Sequence, residues 1–306
     1  MFAVDKSQPI LVYLAGGVQG SAVVRAALRR GFKVRALVRD RRRVPALAAL
    51  GVELAEGDLR DPASLRAASA GIAHAVLQIP IGSPEDMRIQ AENAVSASLG
   101  SGLTSIILKL ASASRPVPCT EPSFVANAMI EDVARRSGLP FAIVRPTMYL
   151  DNLLKPSARA DIVEHGIFAP PIAASQRIAW TSTDDCARAA VTLLERGVDA
   201  GDHRIAGPES VGGDELALRI GAGLGRSVIY RHQQLDEFER DVDAAMGPGT
   251  GRRVASKFRF FAAHRNEADA ILSGAFKPQP GLDDFQPTGI AEWVRQHRTE
   301  FYDGQA

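Results

Sequence analysis

The feature that most constrains the fold is a glycine-rich turn between an apolar run and an amphipathic segment near the start of the chain. Residues 9–14 are almost wholly apolar, residues 15–20 contain three glycines, and residues 21–30 place apolar side chains at helical spacing. Residues 33–38 follow as a second apolar run, which completes a strand–helix–strand unit. The helix N-terminus of such a unit receives a pyrophosphate on its unpaired N–H groups. The candidate contacts are Gly16, Gly17, Val18, Gln19 and Gly20.

The residues after the second run bear on which dinucleotide this turn would hold. Proteins selective for NAD usually place a carboxylate there for the ribose hydroxyls, whereas this chain reads Arg39-Asp40 followed by three more arginines. A guanidinium favours a 2′-phosphate through charge-assisted hydrogen bonds. The sequence therefore predicts NADP(H), with Arg39 on the 2′-phosphate. Two alternatives stay open: a tight turn that binds nothing, and a solvated basic helix start that accounts for two of the four arginines.

The same alternation of strands and helices continues through the first half of the chain. Further strands are predicted at residues 52–56, 75–79, 105–110 and 141–145, with helical segments between them. This pattern predicts an α/β fold, a doubly wound parallel Rossmann sheet over residues 1–150. Residues 151–306 have shorter elements and are predicted to form a smaller mixed α/β substrate lobe, interwoven with the core without a clean linker.

Two later segments carry distinct predictions. Residues 247–251, with three glycines and a proline, are the strongest loop signal in the chain and are interpreted either as a lid hinge over the pocket or as a disordered connector. Residues 290–301 predict one amphipathic helix capped by Thr288.

Composition limits the classes of partner. The net charge is +1 over 306 residues, and the arginines are dispersed, so neither nucleic acid nor an anionic membrane is an expected partner. Two cysteines are too few for a disulfide framework, and residues 1–8 lack the apolar core of a signal peptide, so a reducing cytoplasm is expected. No metal-ligand spacing is found. A homodimer is left open.

Three segments together resemble a known family. Ala15-Gly16-Gly17-Val18-Gln19-Gly20, the second strand with Arg39, and Arg145-Pro146 followed by Asn152 resemble the NmrA-like group of atypical short-chain dehydrogenases/reductases. The likeness covers nearly the whole chain. It implies the Rossmann fold and a choice of activities, because the family contains NAD(P)H-dependent reductases of quinones and of aromatic or polyketide-like substrates, and also cofactor-sensing regulators without catalysis.

The resemblance also implies further cofactor contacts. In this family a Gly-Asp-Leu turn lies beside the adenine, which places Asp58 as acceptor for its amino group and Leu59 over its face. Gln78 and Pro80, at the end of the fourth strand, stand where the cofactor's phosphates would pass.

Two positions depart from the family pattern. The family turn usually reads Gly-Ala-Thr-Gly-x-x-Gly, and its first glycine falls on Leu14 here, where a side chain is expected to crowd the dinucleotide. The family's reductases often carry a lysine four residues before a glutamate, and with Glu131 as the anchor that residue is Asn127. The Tyr-x-x-x-Lys pair of ordinary short-chain dehydrogenases is absent too, since no tyrosine lies between Tyr13 and Tyr149.

The remaining catalytic candidates follow strand ends. Ser112, with Ser114 as the second choice, is placed to hydrogen-bond a substrate carbonyl, Asn127 to orient a carbonyl or a water, and Tyr149 to donate a proton or to stack on an aromatic substrate. A serine satisfying turn backbone and a packing tyrosine are the alternatives. The sequence predicts an NADPH-dependent reductase of a hydrophobic, aromatic or polyketide-like carbonyl or enone. A non-redox isomerase, cyclase or dehydratase and a non-catalytic NADP(H) sensor remain the alternative functions.

Overall fold

A computed structural model describes residues 4–115, 119–198 and 201–303. The chain divides into two compact units. The first unit consists of Met1–Pro146, Thr183–Ile205 and Pro278–Phe285, and the second of Thr147–Ser182, Ala206–Lys277 and Gln286–Ala306. The first unit therefore contains two segments from the part of the chain that the sequence analysis assigned to the substrate lobe.

Seven of the described strands form one parallel sheet in the first unit, and two pair in the second. In chain order the strands are β1 (Ile10–Val12), β2 (Val34–Val38), β3 (Glu53–Glu56), β4 (His74–Leu77), β5 (Ser105–Lys109), β6 (Phe141–Pro146), β7 (Ile167–Phe168), β8 (Gly201–Ile205) and β9 (Ile229–Tyr230). The large sheet has the order β3-β2-β1-β4-β5-β6-β8, and β7 pairs with β9. This strand order, reversing at β1, is that of a doubly wound dinucleotide-binding sheet, and the predicted fold class is confirmed.

Helices connect these strands. Those of the first half are α1 (Val18–Arg29), α2 (Pro45–Ala48), α3 (Pro62–Ser69), α4 (Pro84–Gly100) and α5 (Pro122–Arg136). Those of the second half are α6 (Pro156–Ala160), α7 (Thr183–Glu195), α8 (Gly213–Leu224), α9 (Leu235–Met246), α10 (Thr250–Ala263), α11 (Arg265–Leu272), α12 (Ile290–Gln296) and α13 (Arg298–Tyr302). No helix in the described ranges is both long and apolar enough to cross a bilayer.

The core of the first unit explains why its strands read as continuous apolar runs. Leu11, Leu77, Leu108 and Ile143 come from four neighbouring strands and pack in one buried cluster with side chains of α3, α4 and α5. Helices α1 and α7 pack against each other and contact β1 and β5, respectively. A parallel sheet covered in this way needs apolar residues on both faces, so its strands do not alternate with polar positions.

The glycine turn differs in its boundaries from the sequence-based expectation. Strand β1 ends at Val12 and α1 begins at Val18, three residues before the predicted start. Gly20 therefore lies inside the first turn of the helix, and the turn proper is confined to residues 13–17.

In the second unit, the predicted loop at residues 247–251 is shorter than expected. The turn ends at Gly249, whose φ is +77°, and α10 begins at Thr250. Gly251 lies inside α10, where a Cβ would stand 2.1 Å from the carbonyl oxygen of Glu239. The absence of a side chain at Gly251 allows α9 and α10 to approach closely, so the lid-hinge and disordered-connector interpretations were wrong for this residue.

The predicted helix at residues 290–301 is two helices. Helix α12 ends at Gln296, and α13 begins at Arg298. His297 between them stacks on Trp293 with ring centroids 4.2 Å apart. The N-cap residue of α12 is Gly289, one residue after the predicted Thr288.

Candidate functional site

The turn after β1 presents an uncapped helix start at the carboxyl edge of the sheet. Ala15 N donates to Leu37 O at 3.1 Å and Gly17 N to Leu14 O at 3.0 Å, which ties the turn to β2 and closes it. Gly17 is the N-cap residue of α1 and has no side chain with which to cap it. Gly16, Gly17 and Val18 are exposed, and the first turn contains no acidic residue. This end of α1 suits an anion.

Leu14 occupies the position of the family's first glycine, and its backbone behaves as that glycine would. Its φ is +52°, and among the described residues it is the only non-glycine with a positive φ. The left-handed region costs an L-residue roughly 1–2 kcal/mol. Its half-buried side chain packs against the apolar core cluster. The turn therefore keeps its shape with a leucine, and the sequence-based expectation of crowding does not follow from the backbone.

The glycines of the turn serve different purposes. A Cβ on Gly20 would lie 2.1 Å from Leu14 O, so Gly20 permits close packing of α1 on the backbone of the turn after β1. A Cβ on Gly16 would lie 2.8 Å from Val44 Cγ1. At Gly17 the nearest atom would be Leu14 O at 3.5 Å, an ordinary contact, so packing within the protein does not require this glycine. Open space before an uncapped helix end fits the close approach of a pyrophosphate.

The arginines after β2 divide into paired and unpaired side chains. Arg42 makes two hydrogen bonds of 3.0 Å to the Asp40 carboxylate, and these hold the pKa of Asp40 below its usual value. Arg41 lies 3.4 Å from Glu56. Arg39 and Arg43 are exposed and form no close ion pair within the described ranges, although the charge of Arg43 also helps to lower the pKa of Asp40. Two guanidinium groups are thus available to an anion beside the glycine turn.

The cofactor contacts implied by the resemblance are placed as follows. Asp58 is exposed, and its Oδ1 accepts from Arg60 N at 2.8 Å. Leu59 is buried in the core of the first unit. Gln78 is buried, and its Nε2 donates to Tyr13 O at 3.2 Å, which links the end of β4 to the start of the glycine turn. Pro80 is half-buried.

A lysine that the sequence analysis did not single out lies at the end of β5. Lys109 is fully buried, and its Nζ donates to Gln19 Oε1 at 2.6 Å. Gln19 Nε2 in turn donates to Ala111 O at 3.0 Å. The sequence does contain a signal for this residue. Lys109 interrupts the apolar residues of the predicted fifth strand, one position before that strand's predicted end.

Three further candidates lie in the first unit beyond β5. Ser112 is half-buried, whereas Ser114 and Asn127 are buried, with 7% and 3% of their surface exposed. Ser114 Oγ and Asn127 Nδ2 have no hydrogen-bond partner in the part of the chain that the structure describes. Leaving a buried donor without a partner costs roughly 1–3 kcal/mol. Such groups are therefore good candidates for contacting a ligand.

Glu131, the family's anchor position, is committed to a buried ion pair. Arg145 Nη2 donates to Glu131 Oε2 at 2.6 Å, its Nη1 binds the other oxygen, and it also lies 3.1 Å from Asp202. Burial raises the pKa of Glu131, although both Arg145 hydrogen bonds favour the carboxylate. Glu131 thus joins α5 to β6 through Arg145, which also pairs with Asp202 of β8, and the glutamate is not free to act as a base.

Tyr149 belongs to the second unit. It is 7% exposed and pairs through its backbone with Thr181, while Leu150 N donates to Thr181 O at 2.7 Å. The other candidate residues all lie in the first unit. No cluster of three or more His, Cys, Asp or Glu suited to a metal occurs among the described residues.

A doubly wound parallel sheet whose first helix starts, uncapped and lined by glycine, at the switch point of the strand order defines a Rossmann-type nucleotide-binding protein. The NmrA-like family model matches residues 6–302. The chain belongs to the NmrA-like family, as its motifs predicted.

Three known proteins illustrate its relatives. The NAD(P)H azoreductase of Xenophilus azovorans is 27% identical over 300 residues, which cover 95% of this chain and 99% of the relative. The structure of Citrobacter sp. triphenylmethane reductase complexed with NADP(H) matches with a TM-score of 0.74 at 23% identity, covering 94% of this chain and 99% of that one. NmrA, a negative transcriptional regulator solved in complex with NADP, matches with a TM-score of 0.71 at 16% identity, covering 98% of both chains.

Proposed function

We propose that this protein is an NADPH-dependent oxidoreductase that reduces a hydrophobic, aromatic or polyketide-like carbonyl or enone. The observation that carries the proposal is the exposed, uncapped start of α1 with the unpaired Arg39 and Arg43 beside it. NADP(H) as the cofactor is supported by the relatives, of which one is named an NAD(P)H azoreductase and two were solved with NADP or NADP(H). The substrate class is the sequence-based prediction carried forward.

The chain's own residues have separable tasks in this proposal. The bound cofactor would supply a hydride. Gly16, Gly17 and the start of α1 bind the pyrophosphate, and Arg39 binds the 2′-phosphate. Ser112 and Asn127 hydrogen-bond the substrate oxygen. Tyr149, in the second unit, is kept as the proton donor that the sequence predicted.

The arginine assignment is tested by binding. Arg39→Ala removes a charge-assisted contact worth roughly 1.5–3 kcal/mol, so the NADPH dissociation constant rises roughly ten- to hundredfold. The NADH dissociation constant stays nearly unchanged, because NADH has no 2′-phosphate. Fluorescence titration with both dinucleotides measures the difference.

Arg29→Ala is the matched control for this experiment. Arg29 is an exposed arginine in the last turn of α1, at the end of the helix opposite to the glycine turn. It should leave both dissociation constants unchanged. Equal weakening of NADPH and NADH by Arg39→Ala would contradict the 2′-phosphate assignment.

Turnover distinguishes the reductase from the alternatives. With 4-deuterated NADPH and a panel of quinones, enones and aromatic carbonyls, deuterium should appear in the product. For a carbonyl substrate Tyr149→Phe should lower the rate by roughly a hundredfold or more, as expected for loss of a general acid. Undiminished turnover of the phenylalanine variant would remove Tyr149 from the mechanism.

A non-catalytic NADP(H) sensor is the second candidate function. The absence of Tyr-x-x-x-Lys favours it, and the regulator NmrA is among the structural relatives. Tight NADPH binding without hydride transfer to any member of the panel would support the sensor. Product formed without any dinucleotide would support a non-redox enzyme. Cys119 and Cys186 form no disulfide in the described part of the chain, and the reducing cytoplasm stays a prediction. Sedimentation would test the homodimer that the sequence left open.

A further inference from the structure

Lys109 is a charged side chain in an environment where charge is costly. It ends β5, its exposed surface is 0%, and the neighbouring positions Leu108 and Leu110 are apolar core residues. Lysines are almost never fully buried unless they are paired, because removing an ammonium from water is expensive. A methionine or leucine would pack in this strand without that cost, so packing alone does not account for the lysine.

The ammonium acts on the glycine turn through Gln19. Lys109 Nζ donates to Gln19 Oε1 at 2.6 Å, and Gln19 Nε2 donates to Ala111 O at 3.0 Å. Gln19 is the second residue of α1, directly after the exposed Gly17 and Val18. Its amide therefore fixes the first turn of α1 to the end of β5, across the intervening strand β4.

Two positive groups meet at this corner. The N-terminus of α1 is the positive end of the helix dipole, and the buried Lys109 ammonium lies beside its first turn, bonded to Gln19. Both favour a bound dianion. Arg39 instead follows β2 directly, at the position that reads the 2′-phosphate, and Arg43 ends the short 3₁₀ turn after it.

We propose that Lys109 is a positioning residue for the diphosphate, the part that NADPH and NADH share, and that it acts through Gln19. The inference rests on the proposed dinucleotide binding. It adds a residue that does not touch the diphosphate itself but fixes Gln19, in the first turn of α1. It differs from the role of Arg39, because loss of Lys109 affects both dinucleotides by the same factor.

The test measures dissociation constants for NADPH and NADH by fluorescence titration of the full chain. Lys109→Met keeps an unbranched side chain without the charge, and both dissociation constants should rise roughly tenfold or more by a common factor. Gln19→Leu should do the same, and the effect of the double variant should be less than the product of the two single effects, since the two residues share the Lys109–Gln19 hydrogen bond. Additive effects, or an effect on NADPH alone, would overturn the proposal.

A second variant keeps the test decisive if Lys109→Met fails to fold. Gln19→Glu retains an acceptor for Lys109, so the buried ammonium stays paired and the chain should still fold, but it loses the donor to Ala111 O. Its carboxylate also neutralises the Lys109 charge beside the start of α1, so both affinities should still fall by a common factor. Unchanged affinities in Gln19→Glu would contradict the inference.

Lys33→Met is the matched control. Lys33 is an exposed lysine immediately before β2, at the opposite edge of the sheet, and its loss changes the net charge by the same amount. Both affinities should remain those of the wild type. If the wild type itself binds neither dinucleotide, the proposed function fails. If the wild type binds both and the Lys109 and Gln19 variants bind equally well, only the present inference fails.

Discussion

Leu14 holds a backbone conformation that an L-residue adopts at a cost of roughly 1–2 kcal/mol. Its φ of +52° is the one that the family's glycine would take without strain. The side chain is half-buried against the core cluster, and this packing offsets the strain. The backbone conformation of Leu14 thus lowers the free energy of unfolding, and the packing of its side chain raises it. Substitutions can separate the two contributions.

Leu14→Gly should leave NADPH affinity within about threefold of the wild type, because both residues support the same turn. Its free energy of unfolding should change little, since relief of strain and loss of packing have opposite signs. Leu14→Val should lower the free energy of unfolding by more than about 1 kcal/mol, because a β-branched residue fits the left-handed region worst. Urea unfolding and dinucleotide titration measure the two quantities. A large gain of affinity in the glycine variant would mean that the leucine blocks the site.

At the scale of elements, the start of helix α1 contains two glycines with different roles. Gly20 is required for packing, whereas packing does not explain Gly17. Gly20 allows the helix to approach Leu14 O, whereas a Cβ on Gly17 would meet only an ordinary contact at 3.5 Å. The backbone of Gly17 is extended, with φ −90° and ψ 164°, which alanine adopts freely. A ligand that approaches the helix end closely would explain why Gly17 is nevertheless a glycine.

The pair Gly17→Ala and Gly20→Ala tests this division. Gly17→Ala should keep the melting temperature of the wild type and weaken both dinucleotides roughly tenfold or more, because its methyl group occupies the approach to the pyrophosphate. Gly20→Ala should lower the free energy of unfolding by roughly 1–3 kcal/mol through overpacking against the backbone of Leu14 and Ala15. Thermal melts and titrations of both variants measure the effects. Normal dinucleotide binding by a well-folded Gly17→Ala would contradict the proposed site.

Helix α5 is anchored through Glu131, which lies one helical turn after Asn127. Glu131 is fixed by Arg145 of β6, and Asn127 lies four residues earlier, on the same face of the helix. The ion pair therefore also fixes the position of the buried Asn127 amide. In this chain the residue that matches the family's glutamate has a structural role, and the catalytic role of Asn127 stays a prediction.

For the molecule as a whole, two histidines of the first unit make stability depend on pH. Burial lowers the pKa of His74, at the start of β4, and of His203, in β8. His203 Nδ1 is buried and has no hydrogen-bond partner in the described part of the chain. The folded state therefore binds fewer protons than the unfolded state below the usual histidine pKa of about 6.5. The stability that these groups contribute is present above that pH and is lost as the pH falls.

The free energy of unfolding should accordingly decrease as the pH is lowered from 7 to 5, and His203→Gln should show a shallower decrease than the wild type. The comparison of the two slopes isolates His203 from the carboxylates, which titrate in both proteins. Urea unfolding at a series of pH values, at constant ionic strength, provides the slopes. Identical slopes would show that His203 titrates alike in the folded and unfolded states.

The sequence by itself determined the order of strands and helices in the first half of the chain. Apolar runs separated by amphipathic segments specify buried parallel strands and crossover helices, because periodicity is a local property. The same local pattern located the glycine turn and indicated NADP(H) from Arg39. These inferences needed no knowledge of which distant residues meet.

Only the tertiary structure decided which groups at the site are available. Arg42 pairs with Asp40, and Arg41 pairs with Glu56. Arg39 and Arg43 form no close ion pair in the described ranges. Lys109 meets a side chain 90 positions away, and two late segments of the chain complete the first unit. Even the conformation of Leu14 follows from how β1, β2 and α1 meet. Ion pairing, burial and strain depend on neighbours brought together by folding, so no local pattern in the sequence specifies them.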